Sequence, residues 1–210
     1  MEKKPKVVLV NGSPNEKGCT YTGLCEVERA LNKSGVETEI VHVGKTVTSC
    51  TGCMKCRQGL GKCVFDDIVN KTALKIKAAS GVVFGSPVHY AAMSSGMKSF
   101  MDRLFIAHGK DFRGKPGAGI SSARRSGGTG TFDQFNKYFS IVQMPIVTSQ
   151  YWNLVHGSKP EDVLNDLEGL QTMRVLGNNM AWMIKCLSLA KQNGVEMPDV
   201  ETQIRTNYIR

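Results

Sequence analysis

Long apolar runs are missing from this sequence, and so are internal repeats and low-complexity segments. No stretch approaches the roughly 18 apolar residues that a membrane-spanning helix needs, and residues 1–25 lack the basic and then apolar pattern of a secretory signal. Aromatic residues are scarce, at 7%, and no basic run is interleaved with them. We therefore expect a cytoplasmic protein that has neither a membrane nor a nucleic acid as a partner.

The size and charge of the chain favour one folded unit that attracts phosphate groups. Its 210 residues are 41% hydrophobic, which is enough for one sizeable core, and no linker divides them. The net charge of +9 comes from scattered Lys and Arg residues. We interpret residues 1–210 as a single domain, and we interpret the charge as an attraction for phosphate-bearing cofactors.

Runs of β-branched residues alternate with apolar residues at helical spacing along the chain. Strands are predicted within 6–14, 36–43, 81–87, 115–123 and 145–152, and helices at 20–33, 66–79, 93–107, 132–142 and 160–192. Such alternation implies right-handed crossovers and a parallel sheet that is covered on both faces. The predicted fold is α/β, a doubly wound five-stranded parallel sheet in a three-layer sandwich, with a cysteine-rich loop at 48–64 and a helical extension from about 160.

The turns at the carboxyl ends of the strands are the expected ligand site, because ligands of such sheets bind at that edge. The loop "NGSPNEKGCTYTG" lacks the glycine spacing of both a Rossmann fingerprint and a Walker loop. It does offer the hydroxyls of Ser13, Thr20 and Thr22 to a single phosphate resting on the amides of the first helix. The alternative is that these residues are caps and turn formers without a ligand.

A second turn of the same kind follows the third strand, in "GSPVHYAAMSSGMKSFMDR" at 85–103. Pro87 stiffens this turn, and His89 and Tyr90 are placed to face a flat ring. Two such turns at one edge of the sheet favour a flat, phosphorylated cofactor.

Four of the seven cysteines lie in "SCTGCMKCRQGLGKC", with the spacing C-x2-C-x2-C-x6-C. Three closely spaced thiolates and a looser fourth suit a [4Fe–4S] cluster, and Gly52, Gly59 and Gly61 allow the backbone to turn around it. Empty or oxidised thiols and a zinc site are the alternatives. The candidate ligands, which we expect at the same edge of the sheet as the two turns, are Cys50, Cys53, Cys56 and Cys63.

The two turns and the compact cysteine loop together resemble the flavodoxin-like NADPH-dependent FMN reductases, and specifically their iron–sulfur flavoprotein branch. The resemblance implies an FMN held by three loops, NAD(P)H as electron donor, a [4Fe–4S] cluster as a further cofactor, and homodimers or homotetramers. It assigns the chemistry to the flavin and no catalytic role to a side chain. The residues placed around FMN are Ser13, Asn15, Gly18, Cys19, Thr20, Thr22, Ser86, Pro87, Val88, His89, Tyr90, Ser122, Arg124, Arg125 and Gly127.

Two arginines, Arg124 and Arg125, end the fourth strand. A guanidinium there is able to stabilise an anionic reduced flavin or to bind the phosphate of a nicotinamide cofactor, and the alternative is a solvated basic loop. The expected function is an oxidoreductase that passes electrons from NAD(P)H through FMN to a quinone, azo, nitro or flavin acceptor. Two other functions stay open: a flavodoxin-type electron carrier, against which the charge of +9 argues, and a metal module without a flavin.

Overall fold

The computed structural model describes residues 4–209 and consists of a central sheet between two layers of helices. The strands are β1 (Lys6–Asn11), β2 (Glu37–His42), β3 (Gly81–His89), β4 (Ala92–Met93), β5 (Gly117–Ala123) and β6 (Leu154–His156). The helices are α1 (Cys19–Lys33), α2 (Ile68–Ala78), α3 (Ser95–His108), α4 (Gly128–Ile141), α5 (Pro160–Asn165) and α6 (Leu167–Gln192). None of the helices among the described residues is long and apolar enough to cross a membrane.

Five strands of the sheet are parallel, in the order β2-β1-β3-β5-β6, and the short β4 pairs antiparallel with β3. One hydrophobic cluster fills the space between the sheet and the helices α2, α3 and α4, and a second lies between the sheet and the helices α1 and α6. This is the predicted flavodoxin-like sandwich. The chain reverses its direction of winding between β1 and β3, and ligands of such sheets bind beside that point.

The fifth parallel strand is shorter and later than predicted. Within the predicted range 145–152, only Ile146 forms a bridge to β5, and the strand itself begins at Leu154. Between them the chain leaves the sheet and bonds to α6 instead: Asn179 Nδ2 donates to the carbonyl of Thr148 at 2.8 Å. The interruption exposes two aromatic residues, Tyr151 and Trp152, whose ring centroids are 4.9 Å apart.

The glycine-rich segment before 132 is part of α4, although the sequence predicts a turn there. Its glycines are required by close packing: a Cβ on Gly128 would lie 1.8 Å from a methyl group of Leu154, and one on Gly130 would lie 2.6 Å from the carbonyl oxygen of Ala91. The predicted helix 160–192 is present but broken at Asp166, whose carboxylate caps α6 by accepting from the amide of Gly169 at 2.9 Å.

Candidate functional site

The loop between β1 and α1 is held by Asn11, which no sequence pattern marked, and by the predicted site residue Ser13. Asn11 is fully buried; its Oδ1 accepts from the amide of Ser13 at 3.1 Å, and its Nδ2 donates to the carbonyl of Glu16 at 2.8 Å. Ser13 Oγ accepts in turn from the amide of Asn15 at 3.1 Å. These bonds leave the hydroxyl hydrogen of Ser13 available and fix the loop in place.

Helix α1 begins at this loop and presents a favourable place for an anion. Its N-cap is Gly18, no side chain caps its first amides, and its first turn contains no acidic residue. Unpaired amides and the positive end of the helix dipole both attract phosphate groups. Cys19 contributes little charge here, because burial raises the pKa of its thiol. The hydroxyl of Thr22 donates to the carbonyl of Gly18 at 3.3 Å, so it is not free to donate to a phosphate.

The second predicted turn is a hairpin between β3 and β4. Tyr90 and Ala91 form its tip, both with positive φ, and Tyr90 is fully exposed. Two consecutive residues of that kind are typical of a two-residue β-hairpin whose twist matches the strands. His89 is also exposed, whereas Pro87 and Val88 are half-buried within β3. Exposed rings at such a tip are able to lie against a flat ligand.

Buried serines tie the hairpin to the first loop. Ser86 Oγ accepts from the amide of Ser94 at 2.9 Å and donates to the carbonyl of Pro87 at 2.9 Å. Ser94 Oγ donates to the carbonyl of Gly12 at 2.8 Å, and the amide of Gly12 donates to the carbonyl of Gly85 at 2.8 Å. The hydroxyl of Ser86 is therefore engaged within the protein, where it holds the turn in shape.

The loop after β5 joins the other two. Ser122 Oγ lies 2.8 Å from Thr20 Oγ1, which links this loop to α1. Gly127 has a φ of +88°, and a Cβ there would lie 2.8 Å from the Cα of Ala91 at the tip of the hairpin. The three predicted loops therefore meet at one edge of the sheet; we call this set of residues, 12–20, 86–91 and 122–127, the rim site. Contact of its individual residues with FMN stays a prediction.

A cavity of about 340 Å³ opens beside the rim site. The residues that line it include Arg125 and Gly127 from the loop after β5, and Tyr151 and Trp152 from the segment before β6. Arg124 is exposed to solvent and is absent from this lining. The cavity is large enough for a small planar molecule. Nothing in the sequence pattern marked Tyr151 and Trp152, because their exposure follows from the interruption of the edge strand.

The cysteine loop lies along α3 rather than at the rim where the sequence analysis places it. Ser49 Oγ is 2.9 Å from Ser99 Oγ in the second turn of α3, and the cavity that the cysteines line also includes Ile106 and Ala107 from its last turns. The loop starts near the carboxyl edge of the sheet and then follows α3 away from it. The segment between the end of β2 and the start of α2 is long enough to follow this path.

All four cysteines of the loop line one small cavity of about 60 Å³, whose lining is almost entirely apolar. Gly52, Gly59 and Gly61, which were expected to let the loop turn tightly, all have positive φ. A hydrogen bond from the backbone of Lys55 lowers the pKa of the Cys53 thiol, which favours the thiolate that metals bind.

The spread of these sulfurs bears on the kind of metal centre. The described residues contain no group of three or more His, Cys, Asp or Glu side chains that would hold a single metal ion. A four-iron centre accommodates thiolates that lie farther apart, because each thiolate binds a different iron. Four cysteines that line one cavity therefore supply the residue types that a [4Fe–4S] cluster needs as ligands.

The fourth cysteine is anchored by α2 and α3. Asn70 Oδ1 accepts from the amide of Cys63 at 3.0 Å, and Asn70 Nδ2 donates to the carbonyl of Cys63 at 2.9 Å. His108 Nε2 lies 3.2 Å from the same Oδ1, and burial lowers the pKa of His108. Arg103 reaches Cys63 from α3. No local sequence pattern marks these anchors, since they lie up to 45 residues away in the chain and only folding brings them together.

Comparison with known proteins agrees with this architecture. The sequence profile of the NADPH-dependent FMN reductase family matches residues 5–159. An iron–sulfur flavoprotein of Methanocaldococcus jannaschii is 33% identical over 191 residues, covering 87% of this chain and 98% of that protein. The chain therefore belongs to the NADPH-dependent FMN reductase family, in its iron–sulfur flavoprotein branch. By family it is a flavoprotein oxidoreductase.

Solved structures support the fold alone, since their sequences have diverged. A WrbA-like flavodoxin from Agrobacterium tumefaciens is similar with a TM-score of 0.64 and 13% identity, over 88% of this chain and 99% of that chain. A flavodoxin from the domain Archaea has a TM-score of 0.59 and 19% identity, over 86% of this chain and 99% of that chain. Both are flavodoxins by description, which confirms the flavodoxin-like fold predicted from the sequence.

Proposed function

We propose that this protein binds FMN at the rim site and oxidises NAD(P)H, passing electrons to a quinone, azo, nitro or flavin acceptor. The observation that carries the proposal is the convergence of three loops on the uncapped start of α1. The residues of these loops are joined to each other by hydrogen bonds, so the site is formed before a ligand arrives. When bound, FMN accepts a hydride and releases electrons one or two at a time.

Different residues of the rim site would hold different parts of FMN. Ser13, Thr20 and the first amides of α1 would bind the phosphate, because they offer hydrogen-bond donors at the positive end of a helix. Thr20 is able to donate to it when Ser122 Oγ is the donor of the bond between the two hydroxyls. Tyr90 and His89 would flank the ring from the tip of the hairpin. Gly127, which has no Cβ, lets the loop after β5 approach the hairpin closely. No acidic or basic side chain is required as a catalyst.

The cysteine loop would add a [4Fe–4S] cluster to this site, held by Cys50, Cys53, Cys56 and Cys63. When bound, such a cluster carries single electrons. The support for it is the small apolar cavity that these four cysteines line together. The branch to which the chain belongs is named for such a centre.

A spectroscopic experiment tests the proposed function. The purified protein, saturated with FMN under anaerobic conditions, is mixed with NADPH and then with NADH. We expect the flavin absorbance to bleach and to recover when a quinone is added. If the flavin stays oxidised with both donors, the protein is an electron carrier and not an NAD(P)H-oxidising enzyme. If the protein retains no flavin, the assignment of the rim site is wrong.

The two arginines after β5 should affect reduction unequally. Because Arg125 lines the cavity and Arg124 does not, we expect Arg125→Ala to slow flavin reduction by NAD(P)H about tenfold, which corresponds to about 1.4 kcal/mol. Arg124→Ala serves as the matched control and should have a smaller effect. Both residues are exposed, so the free energy of unfolding should change by less than about 0.5 kcal/mol. Stopped-flow kinetics of both variants measures the difference. If both variants are reduced at the wild-type rate, the two arginines belong to a solvated basic loop without a role in reduction.

A further inference from the structure

The cysteine loop packs against a buried positive charge that the proposed function does not use. Arg103 lies on α3, and its side chain is completely inaccessible to solvent. Burying a charged group is costly unless it is paired and hydrogen-bonded, and arginine stays protonated in proteins. A guanidinium in this position therefore indicates specific partners.

Each of the five N–H donors of Arg103 has an acceptor, and all of the acceptors lie in residues 48–67. Nη1 and Nη2 donate to the two carboxylate oxygens of Asp67 at 2.7 and 2.9 Å. The same two nitrogens donate to the carbonyls of Thr48 and Phe65 at 3.1 and 3.3 Å. Nε donates to the sulfur of Cys63 at 3.2 Å. One side chain thus fixes both ends of the segment that contains the four cysteines.

The fifth of these bonds is made to a candidate cluster ligand. The reduction potential of an iron–sulfur cluster depends on the hydrogen bonds to its sulfurs and on the net charge nearby. Reduction adds negative charge, so a donor and a cation at Cys63 favour it. The carboxylate of Asp67 opposes this effect, because it lies against the same guanidinium.

We propose that Arg103 is the positioning residue of the cysteine loop: it holds Cys63 in place for the cluster and raises the reduction potential of that cluster through the bond from Nε to Sγ. The inference rests on the cluster in the proposed function. It predicts that the two members of the ion pair shift the potential in opposite directions, which a purely structural role would not produce.

The test uses the full chain with FMN, loaded with iron and sulfide under anaerobic conditions, and measures the cluster potential by a redox titration followed by electron paramagnetic resonance. We expect Arg103→Gln to lower the potential and to weaken retention of iron against a chelator about tenfold or more. We expect Asp67→Asn to raise the potential. Asparagine is as good an N-cap as aspartate, so the bond from the amide of Val69 that begins α2 should be retained.

Two further variants complete the design. Lys98→Gln is the matched control, because it removes a positive charge from the same helix at an exposed position and should leave the potential unchanged. If Arg103→Gln does not fold, Arg103→Lys replaces it: lysine keeps the charge but has no fork to reach both Asp67 and Cys63, so the potential should fall by less.

The outcomes separate this inference from the function on which it rests. Unchanged potentials in fully loaded variants of Arg103 and Asp67 would overturn the role of Arg103 alone. Shifts of the same sign in both variants would also overturn it. A wild-type protein that takes up no iron and sulfide would overturn the cluster and this inference together, while its flavin content would still test the rim site.

Discussion

Replacing both Ser13 and Thr20 with alanine is expected to weaken FMN binding about a hundredfold or more. Each hydroxyl that donates to a phosphate contributes about 1.5–3 kcal/mol, and each 1.4 kcal/mol corresponds to a factor of ten in affinity. Both side chains are buried at the start of α1, so water cannot easily replace them. Titration of the apoprotein with FMN, followed by the quenching of flavin fluorescence, measures the change.

The control for this experiment is on the same helix. Thr22→Ala removes a hydroxyl that already donates within α1, so we expect its affinity for FMN to stay close to that of the wild type. Ser122→Ala tests the bond to Thr20 separately. If the double variant binds FMN as tightly as Thr22→Ala does, the phosphate does not lie at this loop and the rim site has been assigned wrongly.

Anaerobically prepared protein is expected to contain about four irons and four sulfides per chain, and Cys53→Ser is expected to lose this iron while it retains FMN. The physical reason is that the cluster needs all four thiolates, whereas the cavity that Cys53 lines includes no residue of the rim site. Iron and acid-labile sulfide are determined chemically, and FMN is determined by absorbance after release from the protein.

Cys186→Ser is the matched control, because Cys186 is an exposed cysteine on α6, outside the loop. It should keep both iron and FMN. A wild-type protein that contains no iron, yet still reduces quinones with NADPH, would contradict the cluster. The cysteine loop would then be a scaffold or a thiol site beside a two-electron flavin reductase.

Local patterns were enough to predict most of the fold. Helix α1 and strands β1 and β3 follow from apolar spacing that is short in range and strongly periodic, and the structure has them within a few residues of the predicted bounds. Strand β6 was misplaced because the segment before it bonds to α6 rather than to the sheet, as the contact of Asn179 with Thr148 shows. Such a contact has no local signal.

The candidate site was predicted less evenly. The three rim loops could be found because each directly follows a predicted strand, and parallel strands end at a common edge. The place of the cysteine loop could not be predicted, because tertiary contacts fix it. Arg103 illustrates the difficulty: in the sequence it is one of many scattered basic residues, and only folding shows that it is buried against Asp67 and Cys63.

Helix α3 connects the two candidate sites as a rigid spacer. Its N-cap, Ser94, is bonded to Gly12 at the rim, and Arg103 is bonded to Cys63 in the cysteine loop. Nine residues of helix at 1.5 Å each separate these anchor points by about 13 Å along the axis. Because both anchor points belong to one continuous helix, their spacing is set by the length of α3 and not by the sequence of either loop.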